Sequence, residues 1–210
     1  RDAMLSQKYK NIKDLPKGAT VGTTSLRRRM QLSKLRPDLI MKELRGNVDT
    51  RINKLKNGEY DAIILAAAGI NRLGLNSNVN YFSEIEIDDM VPSMGQGALA
   101  IETTKDPEVI KIVDALNDTT SCMETTIERD FVGKLEGSCS VPIGVSARMQ
   151  NNGTMVVKAI LGMPDGTEVL EEFITIKKEN YKIAGVALAQ SMINKGAIDL
   201  LKRAEEKAFK

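Results

Sequence analysis

Thr23-Thr24-Ser25-Leu26-Arg27-Arg28-Arg29 follows the short apolar run Ala19 to Gly22 and opens a stretch with helical periodicity. Hydroxyl residues at a helix start leave backbone N–H groups directed outward, and guanidinium forks suit carboxylate or phosphate. Arg45 closes a second apolar segment, Arg51 lies in the first turn of the helix expected after it, and Arg72 follows a third. In a parallel sheet the loops after these segments share one edge, where ligands of such folds bind. The set points to a ligand bearing several carboxylates or phosphates. Solvated helix residues are the plain alternative. It is preferred for Arg29, because three successive helical residues fan over ~200° and cannot all face one site.

Other candidates are weaker alone. Gly95-Gln96-Gly97 permits close backbone approach to a ligand, with an amide that donates and accepts, and serves equally as a hinge. Cys139 lies among small residues in Glu136-Gly137-Ser138-Cys139-Ser140-Val141-Pro142, past an expected helix, where a thiol is accessible, although an inert packing residue is the commoner reading of a free cysteine. Cys122 reads as a packing residue, and Asp88-Asp89 as a solvated loop. The absence of histidine removes Ser-His-Asp and Cys-His nucleophile systems and HExxH metal sites. The two cysteines lack metal-ligand spacing, so no metal is expected. No Walker A motif or GxGxxG indicates a nucleotide.

The elements that must position these residues read as two domains. Ala19–Gly22, Leu39–Met41 with Leu44, and Asp61–Ala68 are expected strands. Leu26–Leu35 and Val48–Asn57 are the helices between them, and a further helical turn starts near Ile70. This is a doubly wound α/β pattern. Past Val91 come a glycine-rich loop, a strand Ala98–Glu102, and helices Pro107–Leu116 and Ser121–Leu135. Ile143–Met149, Thr154–Leu161 and Glu168–Ile176 read as a three-stranded antiparallel sheet, with turns at Asn151-Asn152-Gly153 and Pro164-Asp165-Gly166. Helices Asn180–Asn194 and Ala197–Ala208 complete a smaller α+β domain. Thirty basic against 28 acidic residues, a net charge of +2, argue against nucleic acid as the main partner. The nine-residue apolar run Ala62–Ile70 is short of the ~20 residues of a membrane span, and the expected location is cytoplasmic.

In order, Val21-Gly22-Thr23-Thr24-Ser25-Leu26-Arg27-Arg28, Leu44-Arg45-Gly46-Asn47-Val48, Asn57-Gly58-Glu59-Tyr60-Asp61-Ala62, Gly95-Gln96-Gly97-Ala98 and Leu135-Glu136-Gly137-Ser138-Cys139-Ser140-Val141-Pro142 resemble one family across essentially the whole chain. That family is hydroxymethylbilane synthase, or porphobilinogen deaminase. The resemblance implies a transferase of porphyrin and haem biosynthesis. Such an enzyme condenses four porphobilinogen molecules, with loss of ammonia, onto a covalent dipyrromethane primer and hydrolyses the product free as hydroxymethylbilane. It further implies thioether attachment of dipyrromethane at Cys139. Cofactor-binding positions would be Thr23, Thr24, Ser25, Arg27, Arg28, Arg45, Gly46, Arg51 and Gln96, with Arg45, Arg51 and Arg72 also meeting substrate carboxylates.

By resemblance, residues 1–93 form a periplasmic-binding-protein-like domain, 94–117 return to a first domain mostly absent from these 210 residues, and 118–210 form the cysteine-bearing domain. The family's catalytic aspartate would lie in the absent part, so the chain alone is expected to be inactive, with strand Ala98–Glu102 lacking sheet partners. The expected partners are porphobilinogen and polypyrrole intermediates, and the full-length protein is expected to be a monomer. The residues leave open a non-catalytic polycarboxylate-binding module of the solute-receptor or effector-domain type.

Overall fold

The computed structural model describes residues 1–135 and 141–208. Its first sheet has five strands: β1 (Asp2–Ser6), β2 (Thr20–Gly22), β3 (Ile40–Lys42), β4 (Ala62–Ala66) and β5 (Tyr81–Glu84), in the order β3-β2-β4-β1-β5. The three strands expected from sequence, β2, β3 and β4, run parallel. β1 lies antiparallel to both β4 and β5, so the sheet is mixed rather than wholly parallel. Helix α1 (Leu26–Leu35) starts where the Ser25 hydroxyl accepts the Arg28 N–H, and α2 (Val48–Lys56) where Asn47 Oδ1 accepts the Thr50 N–H at 2.8 Å. Helix α3 (Ala67–Leu73) follows β4 directly.

Both faces of this sheet are covered, as the unbroken apolar run in β4 requires. Met4, Val21, Ala62 and Ile64 pack with Leu32 of α1 on one face. Ala3, Leu5, Ile63 and Leu65 pack with Ile52 and Leu55 of α2 and Ile70 of α3 on the other.

The second half is built on β6 (Ile143–Met149), β7 (Thr154–Gly162) and β8 (Val169–Lys177), an antiparallel sheet in the order β6-β7-β8. Helices α5 (Thr119–Lys134), α6 (Tyr181–Asn194) and α7 (Ala197–Ala208) pack against one face, burying Ile127, Phe131, Val157, Leu188 and Leu200. α5 and α6 approach so closely that a Cβ on Gly185 would lie 2.2 Å from the Ile127 carbonyl oxygen. β6 is an edge strand, and its outward N–H groups are satisfied from outside the sheet. Val145 donates to the Pro92 carbonyl at 2.9 Å, Ala147 to Glu128 at 2.9 Å and Met149 to Glu124 at 2.9 Å.

Between the halves, α4 (Pro107–Asp114) is capped by Asp106, which accepts the Glu108 N–H at 2.8 Å, yet it buries no residue. Residues 98–102 form no strand. That corrects the sequence reading: a short apolar run supplies a β-like pattern, but a strand exists only beside a partner, and no described segment pairs with this one. Among the described residues no helix is long and apolar enough to cross a membrane.

Candidate functional site

The carboxyl ends of β2, β3 and β4 bring the turns before α1, α2 and α3 to one sheet edge. β1 runs the opposite way, so its first residue arrives at the same edge, with Asp2 paired in register to Ala66 at the end of β4. Asp2 was not among the residues expected here. Its carboxylate is wholly buried and stands between the two guanidiniums that open α1.

Arg27 is 5% exposed. Its Nη1 donates to Asp2 Oδ2 at 2.6 Å and to the Val91 carbonyl at 2.7 Å; its Nη2 donates to Asp2 Oδ1 and Gln96 Oε1, each at 3.3 Å. Arg28 donates from Nε to Asp2 Oδ1 at 2.9 Å and from Nη1 to the Ile64 carbonyl at 3.0 Å, with Nη2 2.8 Å from Asp2 Oδ1. The Gln96 amide also donates to Asp2 Oδ1 at 3.1 Å. Burial raises the Asp2 pKa, but the charges of Arg27 and Arg28 and the hydrogen bonds from Arg27 and Gln96 outweigh it, so it titrates below the ordinary aspartate value. Burial lowers the Arg28 pKa; Asp2 opposes that, while the nearby charges of Arg27 and Arg51 add to it. Two guanidiniums against one carboxylate leave this cluster positive, with Arg51 close enough to be felt.

The remaining expected residues divide into those that build the loops and those that point outward. Thr23 is buried and accepts the Ser25 N–H at 3.2 Å, and Thr24 donates to the Leu44 carbonyl at 2.6 Å, tying the first loop to the second. Gly46 has φ +120°, and a Cβ there would meet Thr50 at 2.7 Å, so this turn requires glycine. Arg51 Nε donates to the Gly46 carbonyl at 2.7 Å. Arg45 is exposed and pairs with Glu43 at 3.1 Å, and Arg72 donates to the Gly97 carbonyl at 2.6 Å. Arg27 is not open to a ligand, because protein acceptors occupy it, and Arg45 has an acid two residues away. Cys122, expected to pack inside, is exposed on α5. Cys139 lies outside the described residues.

Three further residues escaped the sequence reading. Gln31, one helical turn after Arg27 and 3% exposed, pairs its amide with both backbone groups of Val91: Nε2 donates to the carbonyl at 2.9 Å and Oε1 accepts the N–H at 2.7 Å. Tyr60 donates to the Glu43 carbonyl at 2.6 Å and lays its ring on Gly22, where a Cβ would come within 2.8 Å. Glu128 of α5 accepts the Gly95 N–H at 2.7 Å as well as that of Ala147, holding the Gly95-Gln96-Gly97 turn from the other half of the molecule. Burial raises its pKa, and the two backbone hydrogen bonds offset that only in part. The hydroxyl-arginine block signalled a site; nothing local signalled these three, since each acts across 17 or more residues of chain.

A groove of ≈ 780 Å³ lies beside Arg72, lined in part by Met94, Leu99, Ile110, Cys122 and Arg129. Gly95 and Gly97 also line it, on either side of Gln96, which donates to Asp2.

Residues 1–112 match the family model for the porphobilinogen deaminase dipyrromethane cofactor-binding domain, and residues 122–194 match that for the porphobilinogen deaminase C-terminal domain. The porphobilinogen deaminase of Sulfurimonas denitrificans is 59% identical over 205 residues, which is 98% of this chain and 66% of the relative. Those of Aliarcobacter butzleri and Nitratiruptor sp. are each 56% identical, over 210 and 209 residues, covering 100% of this chain and 67% of each relative. The chain spans about two thirds of the length of these relatives.

Proposed function

The chain belongs to the porphobilinogen deaminase family, and on that premise we propose that it holds a dipyrromethane cofactor, attached through Cys139, and the carboxylates of porphobilinogen and the growing polypyrrole. The activity it serves is the stepwise condensation of four porphobilinogen molecules with loss of ammonia, followed by hydrolysis that releases hydroxymethylbilane, a step of tetrapyrrole biosynthesis. When bound, the dipyrromethane supplies the pyrrole terminus that accepts each new unit.

The observation that carries this reading is the convergence of Arg28 and Arg51 on the edge where α1 and α2 begin, around a cluster with one more cation than anion. Each pyrrole unit brings two carboxylates, so the donor set fits the group in kind. Arg28 would receive a carboxylate through the donors that Asp2 does not use, and Arg51 would bind a second. Arg45, exposed past the end of β3, would reach the outer units, and Arg72 those near the Gly97 turn. The N-terminal N–H groups of α1 and α2 add favourable dipoles for anions. Thr23, Thr24, Ser25 and Gly46 shape the loops, and Gln96 joins the site to the cysteine-bearing half through the Glu128-held turn.

The reading extends to a periplasmic-binding-protein-like second domain at 1–93, a segment at 94–117 that returns to the first domain, and a third domain at 118–210, in a cytoplasmic monomer. The 210 residues alone would bind without turnover. The buried carboxylate at this edge among the described residues is Asp2, and two guanidiniums keep it from acting as a proton acceptor.

Mass spectrometry of the chain produced with porphobilinogen available tests the assignment. An increment of two linked pyrroles on Cys139, absent from Cys139→Ser, is expected. An unmodified thiol, with reversible anion binding that Cys139→Ser leaves unchanged, would favour a non-catalytic binding module instead.

A further inference from the structure

We propose that Asp2 is a positioning residue which, held by Arg27, turns Arg28 toward the ligand, so that the two consecutive arginines offer one carboxylate seat rather than two. The inference rests on the reading of this edge as a polypyrrole-carboxylate site and adds a division of labour within it.

Each terminal nitrogen of Arg27 already donates twice, to Asp2 and Val91 from Nη1 and to Asp2 and Gln96 from Nη2. A terminal guanidinium nitrogen carries two hydrogens, so these four bonds use both ends of the fork. Arg28 is spent differently. Asp2 Oδ1 lies 2.9 Å from Nε and 2.8 Å from Nη2, and Ile64 takes one hydrogen of Nη1, which leaves one hydrogen on each of Nη1 and Nη2 without an acceptor among the described residues. Adjacent hydrogens on the two terminal nitrogens form a bidentate edge for a single carboxylate.

Side-chain exposure follows the same division, 5% for Arg27 and 11% for Arg28. Among the described residues, Asp2 and the Ile64 carbonyl orient the Arg28 fork, the Asp2 contact restraining its Nε side and Ile64 its Nη1 end. Asp2 thus acts on the ligand through Arg28 and does not itself touch it.

The test compares porphobilinogen binding by isothermal titration calorimetry with the Arg28 Nε–H signal in ¹⁵N NMR, for the 210-residue chain and three variants. Arg28→Leu is expected to weaken porphobilinogen by at least about tenfold, the scale of losing a charge-assisted bidentate contact. Asp2→Asn is expected to weaken it by a comparable ~tenfold although it adds a positive charge, because an unrestrained fork loses its aim. Asp2→Asn with Arg27→Met keeps the wild-type net charge and removes both members of the buried pair, a replacement that proteins often tolerate. It should retain the fold and still bind about tenfold more weakly.

The Arg28 Nε–H should be protected from solvent exchange in the wild-type chain and lose that protection in both Asp2 variants. Tighter or unchanged binding by the Asp2 variants, or an unprotected Nε–H in the wild type, overturns the proposal while an Arg28→Leu loss leaves the functional reading standing. Failure of the wild-type chain to bind, or no loss in Arg28→Leu, removes the functional reading and the proposal with it.

Discussion

Asp2 and Glu128 are both buried carboxylates, one at the strand ends of the first sheet and the other beside the edge strand of the second, and their pKa values shift in opposite directions. Asp2 sits where β1 meets the ends of the parallel strands and is faced by two guanidiniums and an amide. Glu128 sits beside edge strand β6 and is faced by two backbone N–H groups, with Arg148 contributing a weaker favourable charge and Glu124 an opposing one. In the first place full opposite charges exceed the penalty of burial; in the second, dipoles do not. The same functional group serves two tasks as a result. One organises cations for an anionic ligand, and the other closes a backbone edge and ties the Gly95 turn to the second half.

The largest expected effect comes from removing the better-compensated acid. Asp2→Ala leaves two guanidiniums facing each other in a buried space and should cost ~3–5 kcal/mol in urea denaturation, the usual scale for breaking a buried ion pair from one side. A loss under about 1 kcal/mol would mean that water or another acid replaces it, and the contrast between the two sites would fall.

Glu128→Leu comes next, at about 2–3 kcal/mol, because the Gly95 and Ala147 N–H groups lose their acceptor together. Glu128→Gln keeps an acceptor oxygen for one of them and should cost about half as much. Limited proteolysis near Ser93–Ala98 should follow the same order if Glu128 restrains the turn.

The pH dependence sharpens the comparison through its sign. The Asp2 pKa is lower folded than unfolded, so its contribution is complete above the ordinary aspartate range and disappears as pH falls through the folded value. The Glu128 pKa is higher folded than unfolded, so the folded state holds an extra proton between the ordinary glutamate value of 4.5 and the raised one, and stability declines as pH rises through that window. The stability difference between wild type and Glu128→Gln, measured by denaturation against pH, should show this decline. A difference that rises through the window would break the assignment.

The smallest effect is expected at an exposed acid of the second half. Asp165, in the turn before β8, bonds Lys207 of α7 and Thr167 and titrates at about 2. Its stabilisation is present above the ordinary aspartate value and fades as pH falls toward about 2. Asp165→Asn should cost under about 1 kcal/mol near neutral pH, because solvent screens an exposed pair.

What the amino-acid order determines by itself here is what local interactions determine. The start of α1 at Ser25, the start of α2 at Asn47 and the alternation in β6, β7 and β8 involve partners within a few residues, or a repeat of two. They agree closely with the structure, as do the hairpin turns at Gly153 and Gly166. The arginine block was legible for the same reason. β1 and β5 were not, because Asp2–Ser6 and Tyr81–Glu84 are short and become strands by pairing with β4 and with each other across most of the first half. The 98–102 segment is the converse case, a β-like pattern without a neighbour. Asp2 itself carries no local mark of function, standing 25 residues from Arg27 and 94 from Gln96. It reaches the arginines because one antiparallel strand begins where three parallel strands end, and chain direction within a sheet is set by long-range hydrogen bonding and two-sided burial.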